Sequence, residues 1–409
     1  MDQDLIAMGY PFFVGLLALE VAWSHKKGLG LYRFADALTD LACGVSSQAV
    51  GLIVAFLGLA IYAWLWQFRL FTLPDDHPAT WLGALVLVDL AFYWWHRMSH
   101  ESCVLWATHV VHHQSEDYNL AVALRQEWGT HLTHVPFHLP MALLGFSPKM
   151  LATHVAISLL YQFWIHTEVI RRMGPFEWLF NAPMHHRVHH AINPQYLDKN
   201  YGGILIVWDR LFGTYEAEVE PCVYGTVKPL ASWNTVWANL IVWHHMLAVS
   251  RQTARLADKL RVWLKSPAWS PPDVPGYAPQ VVDRARVVKY ETASTPRLRF
   301  WLLAQFLLTM AVQAILRKAE IPVIAVAVAL ILWALLNLGG LLEHKAWAPR
   351  SEVARLVVTV AVSLGFGALG QPWAIAGPVA AVSLGLLLSL PMAVRAYEQP
   401  PDVAPQSQR

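Results

Sequence analysis

The sequence contains few charged residues and few cysteines. Charged residues make up 14% of its 409 positions, against roughly 25% in soluble globular domains, which excludes an ordinary soluble protein. Lysine and arginine number 30 against 28 aspartates and glutamates, so a nucleic-acid-binding protein, which needs a strong basic excess, is also excluded. The three cysteines, Cys43, Cys103 and Cys222, are too few and too scattered for a disulfide framework, and they form no CxxC zinc-binding pair.

Apolar segments are abundant instead. Hydrophobic residues make up 56% of the chain, and it contains 20 tryptophans, a residue that concentrates where lipid meets water. Runs of about 20 apolar residues predict membrane-spanning helices, which we place at 5–23, 46–66, 80–95, 298–316, 321–342, 353–369 and 374–395. Residues 131–165 predict a helical hairpin whose first arm is broken by Pro136 and Pro140 and whose turn lies at 145–148.

The distribution of basic residues predicts the orientation of these spans. Lys26, Lys27 and Arg33 follow the first span, whereas Arg69 is the one lysine or arginine between the second and third spans. Because short cytoplasmic loops are enriched in lysine and arginine, we expect the loop after the first span and the chain after the third span to lie in the cytoplasm. The sequence therefore predicts an all-α integral membrane protein, a multi-span helical bundle with a cytoplasmic, histidine-rich helical cap.

Histidine is the residue whose distribution points to a function. Of the 19 histidines, 14 lie between residues 96 and 190. They form an HxxxH motif, an HxxHH motif, and a second HxxHH motif with one extra histidine in front; the members are His96 and His100, then His109, His112 and His113, then His185, His186, His189 and His190. Because residues i, i+3 and i+4 share one face of a helix, each motif can direct two or three imidazoles to one point. Neutral imidazole binds iron, zinc and copper. Without the extra His185 the three motifs contain eight histidines, enough ligands for two metal ions, and His166 is the candidate ninth.

Several classes of chemistry are compatible with a histidine-rich membrane protein. The HExxH motif of zinc proteases is absent, and clustered metals with nitrogen ligands favour oxygen and redox chemistry, in which the cofactor supplies the reactivity. A site at the membrane surface favours a lipid substrate. A metal transporter is the alternative class, but its ligands would lie near the middle of the membrane, whereas these motifs lie beyond the helix ends.

Strings of residues around the histidines carry a resemblance to a known family. They are 94–101 (WWHRMSHE), 105–113 (LWATHVVHH), 118–120 (YNL), 124–126 (LRQ), 162–168 (QFWIHTE), 185–190 (HHRVHH), 198–203 (DKNYGG) and 208–214 (WDRLFGT). Over about residues 80–220 the chain resembles the sterol desaturase and fatty acid hydroxylase superfamily of membrane diiron enzymes, and within it the alkylglycerol monooxygenases.

This resemblance implies a reaction and its cofactors. The substrate would be a membrane ether lipid, hydroxylated with O2 and a tetrahydropterin on the carbon next to the ether oxygen, which gives a fatty aldehyde and a glycerol derivative. The alternative within the superfamily is a hydroxylase or desaturase of a sterol, a fatty acyl chain or a carotenoid, with electrons from a redox-protein donor. Two iron ions are implied, which zinc can replace during purification.

The resemblance also implies the site residues and the domains. The implied metal ligands are His96, His100, His109, His112, His113, His166, His186, His189 and His190. His185 exceeds this count and is either a supporting group or a spare. Glu101 and Asp198 are the candidate catalytic residues, with a solvated loop carboxylate and a surface or capping role as their respective alternatives. The predicted domains are a fatty acid hydroxylase-like membrane catalytic domain (1–250), a cytoplasmic polar linker (251–297), C-terminal transmembrane helices (298–397) and a disordered tail (398–409).

Overall fold

The protein is helical throughout the part of the chain that the computed structural model describes, which comprises residues 2–275, 287–316, 319–368 and 373–394. No β-strand occurs in these residues apart from two isolated bridges. The helices are α1 (Asp2–Lys27), α2 (Phe34–Trp66), α3 (Pro78–Glu101), α4 (Cys103–Trp106), α5 (Val110–His113), a short 3-10 helix (Val122–Leu124), α6 (Thr130–Thr133), α7 (Val135–Leu144), α8 (Pro148–Trp164), α9 (Phe176–Leu179), α10 (Pro183–His189), α11 (Val207–Phe212), α12 (Thr235–Gln252), α13 (Leu256–Leu264), α14 (Pro296–Ile315), α15 (Ile321–Leu342), α16 (Ala348–Ala368) and α17 (Trp373–Val394).

Six of the described helices are long and apolar enough to cross a membrane. They are α2, α3 and α14 to α17, which confirms the prediction of an all-α integral membrane protein. Helix α1, over the predicted first span, is not among the six. The four C-terminal spans begin within five residues of their predicted starts. The agreement is close because apolar runs of this length are a clear signal of membrane-spanning helices.

Helix α2 begins earlier than the sequence predicts. The predicted start at residue 46 is wrong by 12 residues, since the helix begins at Phe34. The first turns carry Asp36 and Asp40, which are buried and paired rather than solvated; Asp36 accepts from Arg33 and Asp40 accepts from Arg125. Buried polar groups are found where partners satisfy them. Arg125 lies 85 residues from Asp40, and Asp36 also accepts from the distant Ser115 hydroxyl, so a hydropathy pattern does not reveal these contacts.

Helix α3 continues beyond its apolar segment and so carries the first histidine motif out of the predicted span. Pro78 occupies the first turn, and Nδ1 of the preceding His77 accepts from the backbone N–H of Ala79 at 3.2 Å, a side-chain cap for one of the free N–H groups of a helix start. The helix ends at Glu101 because Ser102 is extended.

The predicted hairpin forms from α7 and α8. Gly145 adopts a φ of +100° at the end of α7, a conformation that favours glycine, and the Ser147 side chain caps α8. Pro136 lies in the first turn of α7, where no backbone N–H donor is needed. The expectation that Pro140 also breaks this arm is wrong: it lies inside α7, which continues to Leu144.

The chain divides into two compact units. The first comprises Met1–Ser47, Val54–Leu230 and Asn239–Lys289, and the second comprises Gln48–Ile53, Ala231–Ala238 and Tyr290–Arg409. In the first unit, α3 packs against α4, α7 and α8, and α1 packs against α8. The predicted domain limits stay predictions; the predicted linker contains α13, and the predicted tail at 398–409 lies outside the described residues.

The second unit contains α14 to α17 and is held by polar contacts between apolar helices. The indole N–H of Trp301 donates to the carbonyl of Leu386 at 3.1 Å, which joins α14 to α17. The Gln305 amide donates to the carbonyl of Ala334 at 3.1 Å and joins α14 to α15. Such bonds are a common means of helix association where lipid removes the hydrophobic driving force.

Candidate metal centre

Four segments of the first unit bring all nine predicted ligands into two adjacent groups. The last turns of α3 carry His96 and His100, the segment around α5 carries His109 to His113, residue 166 follows α8, and α10 with its C-terminal cap carries His186 to His190. The first group is His96, His100, His109, His113 and His189, and the second is His112, His166, His186 and His190. Within each group the potential ligand atoms all lie within 4.8 Å of one another.

The four-histidine group is a chain of facing ring nitrogens. Nε2 of His112 lies 3.2 Å from Nε2 of His166, which lies 2.9 Å from Nε2 of His186. Nε2 of His190 lies 3.2 Å from the same atom of His186. All four rings are buried, so water does not account for the convergence of these nitrogens.

The five-histidine group contains ring nitrogens that have no hydrogen-bond partner among the described residues. Nε2 of His96, of His100 and of His189 is buried and makes no hydrogen bond within this part of the chain, and Nε2 of His109 lies 3.2 Å from Nε2 of His113. The ring centroids of His96 and His189 are 4.3 Å apart. Buried polar atoms nearly always have a hydrogen-bond partner in folded proteins, so this set of nitrogens indicates a site for a bound ligand.

Backbone carbonyls fix the orientation of four of the imidazoles. Nδ1 lies 2.7 to 3.0 Å from a carbonyl oxygen in each case; the pairs are His96 with Tyr201, His112 with Arg125, His166 with Gln162, and His189 with Lys199. A carbonyl oxygen can only accept, so Nδ1 carries the proton and donates. The Nε2 atom of each neutral ring is then left with a free lone pair, the arrangement that metal-binding histidines use.

Burial keeps the imidazoles outside the membrane spans neutral. Removal from water lowers the pKa of His112 to about 4 and that of His189 to about 3. The pKa values of four further rings are also lowered, first by burial and then by neighbouring imidazoles; these are His113, His166, His186 and His190. Neutral imidazole is the form that binds metal ions.

The residues present fit metal ions. Nδ1 of both His112 and His166 is committed to a carbonyl, so their Nε2 atoms face each other at 3.2 Å with two lone pairs and no proton between them. Two nitrogens that bind one metal ion at about 2.0–2.1 Å lie roughly 3 Å apart. A cation accounts for this contact, and the all-nitrogen donor set suits a transition metal.

Arg125 supports the four-histidine group, a role that the sequence analysis missed. Its carbonyl receives Nδ1 of His112, and its buried guanidinium donates to the carbonyl of Val111 at 2.6 Å, to Asp40 at 3.0 Å and to Gln114 at 3.2 Å. The guanidinium thus joins the backbone before His112 and the Gln114 side chain after it to Asp40 of α2. Arg125 lies in one of the segments that carry the family resemblance, 124–126, and this position is the sequence signal that could have identified it.

Two buried carboxylates hold the turn that orients His96. Asp209 accepts from the backbone N–H groups of Tyr201 and Gly202, both at 2.7 Å. Asp89 on α3 accepts from Ile204 and Leu205 at 2.7 and 3.0 Å, and from the Trp208 indole at 2.9 Å. The position of Asp89 within an apolar span indicates from the sequence that it has a polar partner, because a carboxylate in such a span must be paired. The sequence does not indicate that this partner is the turn at residues 204 and 205.

The remaining predicted site residues lie outside both groups. The Glu101 side chain is 43% exposed and pairs with Nε of Arg97 at 2.9 Å. Asp198 is 66% exposed, and its carboxylate lies 3.9 Å from Nδ1 of His100; the catalytic roles of both acids stay predictions. Nδ1 of His185 accepts from the backbone N–H of Ala182 before α10. Glu127, which was not predicted, is buried and lies 3.6 Å from Nδ1 of His109.

Nine converging imidazoles in a chain with six candidate spans define an integral membrane protein with a histidine-rich centre suited to metal ions. Comparison with known proteins specifies the class. The Fatty acid hydroxylase family model matches residues 81–214, which include all nine histidines.

The relatives in the comparison identify the family. Alkylglycerol monooxygenase of Homo sapiens is 41% identical over 317 residues, 75% of this chain and 70% of the relative. The proteins of that name from Danio rerio and Xenopus tropicalis are each 36% identical, over 85% of this chain and over 80% and 79% of their own lengths. No solved structure gives a significant match. The chain belongs to the alkylglycerol monooxygenase family and is a monooxygenase.

Proposed function

We propose that the two histidine groups each hold one metal ion, which in the functional enzyme is iron. The observation that carries this proposal is the contact of Nε2 of His112 with Nε2 of His166, because each neutral ring carries its one N–H at Nδ1 and donates it to a carbonyl. Neutral nitrogen ligands accept iron and also zinc, so zinc occupancy after purification is compatible with the proposal.

The proposed reaction is the oxidative cleavage of alkylglycerol ether lipids. The bound metal ions supply the oxygen chemistry that side chains lack. One oxygen atom of O2 enters the C–H bond next to the ether oxygen, the other leaves as water, and a tetrahydropterin supplies the two electrons. The hemiacetal product then loses its glycerol part and becomes a fatty aldehyde. The names of the relatives support this substrate.

The chain's own residues prepare the site for this chemistry. The Nδ1–carbonyl bonds hold Nε2 of four rings in place, as supporting hydrogen bonds do at metal sites generally. Burial of eight of the nine rings excludes water, which protects reactive species from side reactions. Asp198, near Nδ1 of the partly exposed His100, and Glu101 would act at the accessible side of the centre.

We place this centre on the cytoplasmic face of the membrane. Lys26 and Lys27 lie in the last turn of α1 and Arg33 follows it, and the enrichment of lysine and arginine in short cytoplasmic loops supports this orientation. Crossing by α2 and α3 then returns the chain to the same side at Glu101, directly after the first histidine motif.

A product assay tests the proposed function. Iron-loaded protein in membranes is supplied with a 1-O-alkylglycerol, oxygen and a tetrahydropterin, and the fatty aldehyde is quantified. We expect aldehyde only when all three are present. Aldehyde formation without pterin but with a reduced electron-transfer protein would overturn the proposed donor, and absence of aldehyde would overturn the substrate.

A matched pair of variants connects the product to the metal. His112→Ala removes a predicted ligand, whereas His138→Ala removes a buried histidine outside both groups whose Nδ1 also donates to a carbonyl. We expect His112→Ala to lose the ion of the four-histidine group, and with it turnover, and His138→Ala to retain the iron of both groups. Equal iron content in the two variants would contradict the assignment of His112 as a ligand.

A further inference from the structure

The second unit contains a cavity that is separate from the histidine residues. Residues of α14, α15, α16 and α17 line it. Its volume is about 330 Å³, which is within the range of about 300–1,000 Å³ that is typical of small-ligand sites. Most of the wall is apolar, as exemplified by Leu308, Val312, Leu330, Phe366 and Val379. A ligand for such a wall must carry a hydrocarbon segment.

A row of polar side chains on α16 forms one side of this cavity. Arg355, Thr359 and Ser363 are spaced by four residues, which places them on one face of the helix. All three are more than nine-tenths buried, and Thr309 of α14 is a further polar residue of the wall. Ionisable residues within membrane helices are costly and commonly mark functional sites.

These side chains keep hydrogen-bonding capacity on the cavity side. Nε and Nη2 of Arg355 donate to Glu352 at 2.8 and 2.5 Å, while Nη1 has no partner among the described residues. Ser363 adds a hydroxyl group to the same wall. Thr309 and Thr359 donate to carbonyls of their own helices, which leaves their oxygens free to accept. The wall therefore offers both donors and acceptors.

The charges around the cavity select the head group. Arg355 and Glu352 are buried and form an ion pair, so their charges cancel. An anionic head group would add an uncompensated charge to an apolar medium, which is strongly unfavourable, whereas a neutral hydroxyl-bearing group adds no charge. A hydroxyl can donate to a threonine oxygen and accept from Arg355 at the same time.

We propose that this cavity binds a single-chain lipid with a neutral, hydroxyl-bearing head group, its chain among the apolar residues and its hydroxyls against the polar row of α16. The proposal concerns the second unit alone and does not depend on the ether-lipid reaction. It gives the C-terminal helices a binding function of their own.

Photolabelling tests the proposal. Full-length protein in phosphatidylcholine nanodiscs is irradiated with a monoacylglycerol that carries a diazirine in its chain, and labelled residues are mapped by mass spectrometry. Matching probes are a diazirine fatty acid and a diazirine phosphatidylcholine. We expect the monoacylglycerol to label cavity residues of α14 and α16 in clear excess over both. Equal labelling by phosphatidylcholine would show only surrounding bilayer lipid and overturn the proposal, as would preference for the fatty acid.

Two substitutions and a control sharpen this test. Ser363→Phe fills the cavity and should reduce labelling about ten-fold or more, because an overpacked site cannot accept the chain. Ser389→Phe makes the same change on α17 outside the cavity wall and should leave the labelling unchanged. Thr359→Val keeps the side-chain shape but removes an acceptor, so it should weaken labelling even if Ser363→Phe does not fold. Undiminished labelling in both cavity variants would overturn the proposal.

Discussion

The nitrogens of His112 and His166 illustrate how a metal site is built from single residues. Each ring donates Nδ1–H to a carbonyl, so the Nε2 lone pairs oppose each other at 3.2 Å in a buried site. Without a cation this contact is repulsive, and the low dielectric of the interior increases the repulsion. The folded metal-free protein therefore carries a local cost that a bound ion removes.

Metal removal should consequently lower the thermal stability of the protein. An ion that binds only the folded state stabilises it by mass action, by about 2.7 kcal/mol at a free concentration of 100 Kd. We expect the melting temperature to fall when a chelator is added to the parent protein and to His138→Ala. His112→Ala should show a smaller fall, because only the five-histidine group still holds an ion; the fall is measured by the loss of helical circular dichroism. An identical fall in His112→Ala would contradict the predicted role of this ring.

The ion pair of Arg125 with Asp40 gives a second prediction at this scale. Both side chains are buried and their closest atoms are 3.0 Å apart, so Arg125→Leu leaves an uncompensated carboxylate. Removal of one partner of a buried pair costs about 3–5 kcal/mol, whereas replacement of both by apolar groups is often tolerated. We expect Arg125→Leu with Asp40→Leu to unfold at a higher temperature than Arg125→Leu alone, both in metal-free form. An additive loss in the double variant would contradict the pairing.

Sequence patterns could reveal the ligand-bearing segments but not what orients them. The HxxxH and HxxHH spacings identify the histidines because helical periodicity alone puts them on shared faces. The carbonyls of Arg125, Gln162, Lys199 and Tyr201 could not be predicted, because every residue has a carbonyl and only the tertiary fold selects these four. Asp40 escaped detection for the same reason, since its partner lies 85 residues away.

At the scale of elements, the turn at residues 201–205 packs against α3 and orients one ring of the five-histidine group. The Tyr201 carbonyl receives Nδ1 of His96, while Asp89 and Asp209 bind the backbone N–H groups of the turn. Gly203 lies against α3: an added Cβ would be 2.8 Å from Phe92 and 2.9 Å from Asp89. The close approach of the turn to α3 thus requires a residue without a side chain.

Gly203→Ala should displace this turn and weaken the five-histidine group. The Cβ clashes with Asp89, so the Tyr201 carbonyl moves away from His96 and the ring loses its orientation. We expect metal content per chain to fall, with the four-histidine group still occupied, as measured by elemental analysis of purified protein. Gly15→Ala, at a helical position with nothing within 4 Å of the added atom, is the matched control and should keep full metal content. Unchanged metal content in Gly203→Ala would contradict this account.

Helix limits were predictable where hydropathy alone determines them. The C-terminal spans and the α7–α8 hairpin follow from apolar runs and from turn residues such as Gly145. The start of α2 did not follow, because Asp36 and Asp40 interrupt the apolar pattern while their ion pairs and hydrogen bonds permit burial. Polar residues with distant partners are therefore the points at which a hydropathy reading ends a membrane helix too early.

At the scale of the whole molecule, the candidate spans and the basic residues together predict a topology. Lys27 ends α1, Asp76 lies between the spans α2 and α3, and Gln195 follows the last histidine motif. All three side chains are exposed. If α2 and α3 both cross the bilayer, Lys27 and the end of α3 lie on one side and Asp76 on the other. The basic residues around Lys27 support our proposal that the first side is the cytoplasm, because short cytoplasmic loops are enriched in lysine and arginine.

Labelling of single introduced cysteines should reveal this topology. Of the native cysteines, Cys43 and Cys103 are buried, and replacement of all three by serine gives the parent background. In cells that express the protein, an impermeant maleimide should label Asp76→Cys directly. It should label Lys27→Cys and Gln195→Cys only after the membrane is permeabilised. Direct labelling of Gln195→Cys together with Asp76→Cys would place the histidine motifs outside the cell and contradict the proposed cytoplasmic site. Direct labelling of Lys27→Cys would contradict the orientation derived from the basic residues, because the residue next to the positive loop would then face the exterior.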